Sequence, residues 1–516
     1  MIRDFLREKP SPDYRPQICI VGAGAAGICL AVELAKQGKS VMVLEGGGRD
    51  VEEAAQEPYR SEVVGHVHRG IHTGRFRAHG GTTTRWGGQI LELNAEDFER
   101  REWIPASGWP FSRAELEPFY RRALDFEGLG SVLRNDADVW KSLGLPEPSF
   151  PELQSYLTRW CPEPNFARLH AKTLETSTNL QIWLHANAVE LLMDAETVRA
   201  LRVRTQQGSE ALVHADHFVF CMGTIECVRF FLQPRAGDLP WNRSGLLGRH
   251  FQDHVDANAA SVIPRNRRQF AELFDNIFLR SFKYHPKIRL RPEEQRRAGV
   301  LNCAATMSFS SEVDDALAST KATAKHLLRG RFSELNATDI LSSARHAPLL
   351  LRQAARYTLR HRVYNPASAE IRLRVHCEQR PDSDSSITLS NERDSLGLLR
   401  ARLDWRISDL ELETIRLFAE TAANSLAPIA QVELDESLAQ RDPSFLDRSD
   451  DSNHHMGGMR MSASPSDGVV TPDLLLHGTR NVYICSGAVF PTSGFSNPTH
   501  TVLALAMRLA DLLAGQ

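Results

Sequence analysis

Two stretches of the chain carry side chains that can handle a proton: Asn453-His454-His455-Met456-Gly457-Gly458 and Ser493-Gly494-Phe495-Ser496-Asn497-Pro498-Thr499. A neutral imidazole, with an ordinary pKa near ~6.5, can accept a proton at neutral pH. An Asn amide can hold an oxygen that gains negative charge. Each feature also has a plainer account. Paired histidines in a polar loop can be solvated, and an Asn before a helix led by Pro can simply cap it. They gain weight because the other end of the chain supplies a nucleotide-binding fingerprint.

That fingerprint runs from residue 17 to residue 45. Gln17 to Gly22 is a short β-branched run ending in glycine, Gly22-Ala-Gly24-Ala25-Ala26-Gly27 is a turn, and Ile28 to Gln37 predicts a helix closed by Gly38. A second apolar strand, Ser40 to Leu44, ends in Glu45, 23 residues after Gly22. Gly22 permits the tight turn, Gly24 lets a pyrophosphate approach the backbone, and Gly27 allows close helix–strand packing. The helix amino terminus offers unpaired amides to phosphates. Glu45 can bond both hydroxyls of an adenosine ribose and would repel a 2′-phosphate, which favours FAD or NAD over NADP.

A second glycine-rich loop bears on that choice. Residues 75–89, with Gly80, Gly81, Thr82, Trp86, Gly87 and Gly88, predict a backbone lying close to a bulky planar ligand. A simple NAD dehydrogenase needs no such loop. Further on, Leu184 to Leu192 reads as a strand and turn, placing Ala188 and Val189 beside the nucleotide. His217 to Cys221 is a strand, and Gly223 opens a helix after it. Asn481 to Gly487 is a buried strand followed by Ala488. Pro498 through Leu513 is an amphipathic helix, with Asn497 at or next to its N-cap and Pro498 and Thr499 in its first turn.

Taken together, these segments resemble the glucose–methanol–choline (GMC) family of FAD-dependent alcohol oxidoreductases. The similarity rests on the Gly22–Glu45 unit, the Gly80-to-Gly88 loop and the Cys221–Arg229 strand–helix. Gly248-Arg-His-Phe-Gln-Asp-His254 and His454 through the carboxyl terminus match as well. Ser107 to Phe111, and Glu378 to Pro381 through Trp405, are most similar to the branch holding pyranose oxidases and bacterial sugar dehydrogenases. The resemblance implies an α/β fold in which a Rossmann-like FAD-binding domain, of the GMC/p-hydroxybenzoate hydroxylase type, is interleaved with an α+β substrate domain built on an antiparallel sheet. It implies residues 1–254, with insertions around 100–170, and 451–516 for the first domain, and 255–450 for the second.

The same resemblance places the catalytic base at His454, three residues before Gly457, and the second catalytic position at Asn497. His455 is the less favoured neighbour. Two departures stand out. Gly458 occupies the position usually held by Thr, which predicts a looser loop. Arg85 occupies the position where some relatives carry a flavin-linked His, which predicts non-covalent FAD. The implied reaction is oxidation of a secondary alcohol of a sugar, glycoside or related polyol. The rivals are the same chemistry on a non-carbohydrate alcohol and a non-catalytic FAD-binding protein.

Bulk properties narrow the remaining classes. The 516 residues exceed one ordinary core and predict two domains. With 61 basic against 64 acidic side chains and a net charge of −3, a nucleic-acid surface is not expected. No apolar run reaches the roughly 18 residues of a membrane span. The amino terminus lacks a signal core, so the chain reads as cytoplasmic. The 8 cysteines show no metal-binding spacing, so no metal is expected. The electron acceptor is O2 or a quinone- or dye-like molecule, and a small partner subunit or a homo-oligomer is open.

Residues 255–450 lack the dinucleotide pattern. Ile371 to Glu378 and Leu399 to Trp405 alternate as half-buried antiparallel strands do, and Ser386 to Leu389 and Gln431 to Leu434 are shorter strands. Asp253 and His254 are placed either near the flavin or in a solvated loop. Residues 321–362 are helix-like and basic, with 9 Lys/Arg against 2 Asp/Glu. They form either a solvated face or a docking face for a membrane, electron acceptor or subunit.

Overall fold

Short β-branched runs that end in small residues form parallel strands here, because both of their faces are covered. The computed structural model describes residues 1–235, 239–310, 347–366 and 368–516. Its first sheet has six parallel strands in the order Ile2–Asp4, Leu180–Leu184, Val41–Leu44, Ile18–Val21, His217–Phe220, Val482–Ile484. Four of these strands are apolar and almost entirely buried, as a doubly covered parallel sheet requires. The fold is Rossmann-like, and the chain returns to it from four distant regions of sequence.

The glycines act at points of contact. Gly22 has φ +102°, and a Cβ there would meet the Cys221 carbonyl oxygen at 2.7 Å. A Cβ on Gly27 would stand 1.9 Å from the Gly22 carbonyl oxygen, so the helix Ala25–Lys36 touches the strand turn backbone to backbone. Against this helix packs Pro498–Ala514, which also lies on Arg113–Phe126. Its apolar stripe from Leu503 to Leu513 is buried.

The second large sheet has nine strands and is mixed in sequence origin. Its main path runs Ala430–Leu434, Val255–Pro264, Glu370–Cys377, Cys303–Ser310, Phe282–Leu290, Leu153–Trp160, Gln89–Ile90, all antiparallel neighbours. The helix Asp409–Leu426 covers the apolar face, where Leu157, Ile288, Ala305, Leu373 and Val375 are buried. The opposite face is polar. Asp256 pairs with His376, Ala304 with His376 and Arg289, Arg374 with Thr306, and Lys287 with Tyr156. Directly paired residues share a face and alternate residues return to it, so these side chains form one surface.

One group of strands departs from the sequence expectation. Ser386–Arg393 and Leu399–Trp405 do not join the nine-stranded sheet. They form a three-stranded sheet with Glu62–Gly65 and pack on the helix Thr224–Leu232 beside the nucleotide-type sheet. Alternation reports a half-buried strand but not which sheet buries it. Of the basic segment, residues 321–346 lie outside the described residues. Ala347–Arg360 is a helix on which Leu351 and Leu359 are exposed and Arg356 pairs with Asp275 at 2.7 Å.

Gly27→Ala forces the helix off the strand turn and is expected to cost about 1–3 kcal/mol of stability, the range for overpacking a tight contact. Thermal unfolding measures this, and an unchanged midpoint would show that the helix can retreat freely.

Candidate active site

Strand order places the site before any side chain is considered. In an open parallel sheet, ligands bind beyond the carboxyl ends of the strands where the order reverses. Here Ile18–Val21 lies between Val41–Leu44 and His217–Phe220, and a cavity of about 1500 Å3, its open mouth included, is lined by Val21, Leu44, Cys221 and Cys485 from four strand ends. Gly22, Gly24, Ala25, Ala26, Glu45, Gly81, Thr82, Trp86, Ala188, Gly223, Gly487, Pro498 and Thr499 also line it.

The remaining expected residues stand elsewhere. Gly27 packs between helix and turn, and a Cβ on Gly87 would press on the Trp160 ring at 2.9 Å. Gly88 approaches Pro164, and Gly80 initiates the short turn Gly81–Thr84 from a left-handed conformation. Val189 and Ala488 are buried away from the lining. Arg85 is exposed and outside it.

The two glycine loops meet each other. Gly81 has φ +54°, and a Cβ on it would stand 2.7 Å from the Gly24 Cα. A Cβ on Gly24 would meet only the Gly81 Cα, at 3.9 Å, and one on Gly223 would meet nothing within 4 Å. Both backbones are therefore open toward the cavity. Glu45 is 5% exposed and accepts the Ala23 amide (2.9 Å) and the Gly47 amide (2.8 Å). Burial raises its carboxyl above the ordinary value of 4.5, against the pull of those amides and of Arg77.

Sequence reading missed several lining side chains. Tyr59, Arg75, Arg77, Glu226 and Arg229 all face the cavity. Arg75 pairs with Glu226 at 2.9 Å, Glu226 with Arg229 at 2.9 Å, and Arg229 also bonds Asp394. Buried charges need such partners, so the network is balanced as it stands. The arginines at 75 and 77 open the glycine-rich loop already singled out, and that adjacency was the one available signal.

His454 and Asn497 come together just beyond the lining residues Asn453, His455 and Pro498. Asn497 is the N-cap of the last helix, yet its side chain makes no capping bond. Instead its Nδ2 donates to His454 Nε2 at 2.9 Å. That leaves the ring proton on Nδ1, which donates to His254 Nδ1 at 2.9 Å. Burial, then His254, His376 and Lys287, hold His454 well below 6.5, and burial holds His254 at about 4. Both rings are neutral at neutral pH.

Asp253 and His254 are fully buried, so the solvated alternative falls. Asp253 Oδ1 accepts the amides of His254 (2.7 Å), His454 (2.9 Å) and Ser452 (3.3 Å), and Oδ2 accepts His68 Nε2 at 3.2 Å. His68, Asp253 and His455 offer three ligand atoms within 4.8 Å of one another. However, His68 Nδ1 accepts the Ile71 amide at 3.1 Å, which puts the ring proton on Nε2 and turns its lone pair away from Asp253. Hydrogen bonding accounts for that contact. His455 faces the dinucleotide-type cavity, with Nε2 3.8 Å from Asp253 Oδ2.

Gly458 corrects the expectation of a looser loop. Its φ is +89°, and a Cβ would meet Val228 Cγ2 at 2.6 Å, so a β-branched residue does not fit. The surrounding backbone is tied on both sides: Gly457 N to Gly487 O (3.0 Å), Gly248 N to Gly458 O (2.7 Å) and Met459 N to Ala488 O (2.9 Å).

Known proteins resemble this chain in sequence and in fold. Residues 381–506 match the family profile described as GMC oxidoreductase, and residues 20–79 match an NAD(P)-binding Rossmann-like domain. The chain is 22% identical to paromamine 6'-oxidase of Streptomyces fradiae, over 96% of this chain and 91% of that protein. A local match, 34% identical over 120 residues, covers 20% of the chain and 22% of the oxygen-dependent choline dehydrogenase of Rhizobium etli (strain CIAT 652). Among solved structures, pyridoxine 4-oxidase from Mesorbium loti shares the fold, with a TM-score of 0.57 at 18% identity over 96% of this chain and 99% of that one.

Asp253→Ala leaves the donors of His68, His254, Ser452 and His454 without their acceptor. At about 1–3 kcal/mol for a buried unsatisfied group, a loss of roughly 3 kcal/mol or more is expected. Denaturant unfolding measures it, and a native-like midpoint would remove Asp253 from the frame of the site.

Proposed function

We propose that this chain, which matches the GMC oxidoreductase family over residues 381–506, is an FAD-dependent enzyme of that family oxidising a secondary alcohol of a sugar, glycoside or related polyol to a ketone, with His454 as general base. It acts on CH–OH groups, as an oxidoreductase of this family. The observation that carries the finer reading is the 2.9 Å contact between His454 Nε2 and Asn497 Nδ2 at the end of the dinucleotide-type cavity.

The cavity suits FAD on its chemistry. Gly24 and Gly223 leave open backbone where phosphates need close approach, and Glu45 stands where a ribose is bonded. When bound, FAD supplies the hydride acceptor. Everything else falls to the chain. His454 Nε2 takes the hydroxyl proton once the Asn497 amide turns from that lone pair to the alcohol oxygen. Asn497 Nδ2 keeps a second N–H for the oxygen that becomes negative. The His454 Nδ1–H bond to His254 fixes the ring orientation and leaves Nε2 as the basic atom. Arg85 cannot form the bond that a His makes to flavin, which supports non-covalent attachment.

Among the described residues no helix is long and apolar enough to cross a membrane. The cysteines are free thiols, which supports a reducing compartment such as the cytoplasm, checked by fractionation of the host cell.

An anaerobic screen for flavin bleaching across sugars, polyols and simple alcohols tests the reaction, followed by reoxidation with oxygen, quinone or dye. Bleaching by alkyl or aryl alcohols alone would overturn the carbohydrate reading. His454→Ala is expected to slow flavin reduction by roughly 100- to 10,000-fold, the range for a general base, and Asn497→Ala by about 100-fold or more. Both variants should keep flavin that acid precipitation releases into the supernatant; unchanged reduction in His454→Ala would sink the assignment.

The pH profile gives a separate check. Because burial and neighbouring His254, His376 and Lys287 depress His454, the base is free above its lowered pKa and is lost only as pH falls through it. The kcat/KM profile should therefore stay flat down to below 6.5, and an acid limb at or above 6.5 would contradict the role.

A further inference from the structure

The polar face of the nine-stranded sheet looks toward the His454–Asn497 pair. His254, two residues before Asp256 and on the same face, bonds His454 directly. Phe495, from the loop that carries Asn497, packs on Tyr156 and Ala304 of that face, with the Phe495 and Tyr156 rings 5.7 Å apart. An alcohol held by His454 and Asn497 would have this face beside it.

The charges of that face are mostly matched. Arg374 holds Asp256 through two bonds of 2.6 and 3.1 Å, and His376 Nδ1 lies 3.4 Å from the same carboxylate. Arg289 pairs with Glu96 at 2.5 Å. His285 bonds Thr306 at 2.5 Å, and burial keeps it neutral, as it does His376. Lys287 is the exception. It is 7% exposed and has no hydrogen-bond or ion-pair partner among the described residues; Asp256 attracts it only from further off, and Arg374 repels it. Burial lowers it to about 8, so it still carries its proton at neutral pH.

Directly opposite Lys287 stands Tyr156, 9% exposed, whose buried Oη has no partner. Opposed residues on an antiparallel pair hold their Cβ atoms about 5 Å apart. A lysine without an ion-pair partner and a tyrosine whose buried O–H has no acceptor thus occupy directly opposed positions on this face. Leaving two such donors unmatched is unfavourable, and an anion answers both at once.

We propose that the alcohol oxidised by this enzyme carries a carboxylate, as uronic and aldonic acids do, and that Lys287 and Tyr156 receive it while His454 and Asn497 hold the reacting hydroxyl. The inference rests on the alcohol-oxidising reading of the same site. It distinguishes acidic sugars from neutral and amino sugars, and it makes Lys287 a specificity-determining residue, not a catalytic one.

Two measurements on the FAD-loaded full chain test it. The first titrates acetate against the visible flavin spectrum, with acetamide as the neutral isostere and inorganic phosphate as the alternative anion. Acetate should give a saturable change that acetamide does not, and Lys287→Met should weaken it by about 10- to 100-fold, the range for a hydrogen bond to a charged group. Stronger binding of phosphate than of acetate would overturn the carboxylate assignment. The second compares anaerobic bleaching by glucose, glucuronate and glucosamine and by the matching galactose series. The acids should show the lowest KM, Lys287→Met should raise the KM of the acids by about 10- to 100-fold relative to that of the matching neutral sugars, and Lys287→Arg should restore most of it. An amino sugar preferred to its acid, or a silent acetate titration with an unchanged KM in Lys287→Met, overturns the proposal and leaves alcohol oxidation standing. Failure of every alcohol to bleach the flavin would instead fall on the alcohol-oxidising reading, and the acetate titration would still decide whether the anion site exists.

Discussion

Four donors converge on the two oxygens of Asp253, a carboxylate that is fully buried. A charge in that position is tolerable only while its acceptor capacity is filled, so each donor is held where the carboxylate needs it. Those donors come from three separate parts of the chain: His68 near the amino-terminal glycine loop, His254 at the start of the long strand, and Ser452 and His454 in the carboxyl-terminal loop. The Asp253 amide in turn bonds Gln379 at 2.8 Å. The position of His454, the proposed base, is thus a consequence of burying one acid. Burial itself raises the Asp253 carboxyl above 3.8, and the His68 bond opposes that rise.

A second constraint acts at glycine positions. Gly81 approaches Gly24, Gly27 approaches Gly22, and Gly458 approaches Val228, each at a distance that excludes a side chain. These contacts bring the two glycine loops and the histidine loop around one cavity without using side-chain chemistry. Side chains are then free for the ligand. The arrangement explains why the same three regions stood out in the sequence: glycine is informative where the backbone must come close, whatever the chemistry nearby.

That also marks what could be read from sequence. The strand–turn–helix–strand–acid unit was legible because local spacing fixes it, and the elements appear as Ile18–Val21, Ala25–Lys36 and Val41–Leu44 with Glu45 buried at the end. The helix Pro498–Ala514 was legible from its apolar period and its proline. Other features were not. Nothing local told that Ser386–Arg393 and Leu399–Trp405 would pair with Glu62–Gly65. Nothing in the Asp253-His254 dipeptide told that it would be buried with four bonds, because burial of a polar pair depends on donors more than 180 residues away. Gly458 looked like a loss of order and is a requirement of packing, since only the φ of +89° and the Val228 contact reveal it.

The polar wall and the neutral base look contradictory at first. Lys287 and His376 act to depress His454, and a weaker base removes a proton less readily. Proton transfer, however, makes two charges, an imidazolium and an alkoxide. A fixed cation on the wall destabilises the first and stabilises the second, and the balance is set by which lies nearer. In the proposed reaction Asn497 would donate to the oxygen side, while His254 accepts the His454 Nδ1–H on the imidazole side, so each developing charge has its own partner. The depressed base also stays unprotonated as the surroundings acidify. On the proposed mechanism the site works as a matched pair of acceptor and donor and not as a strong base alone.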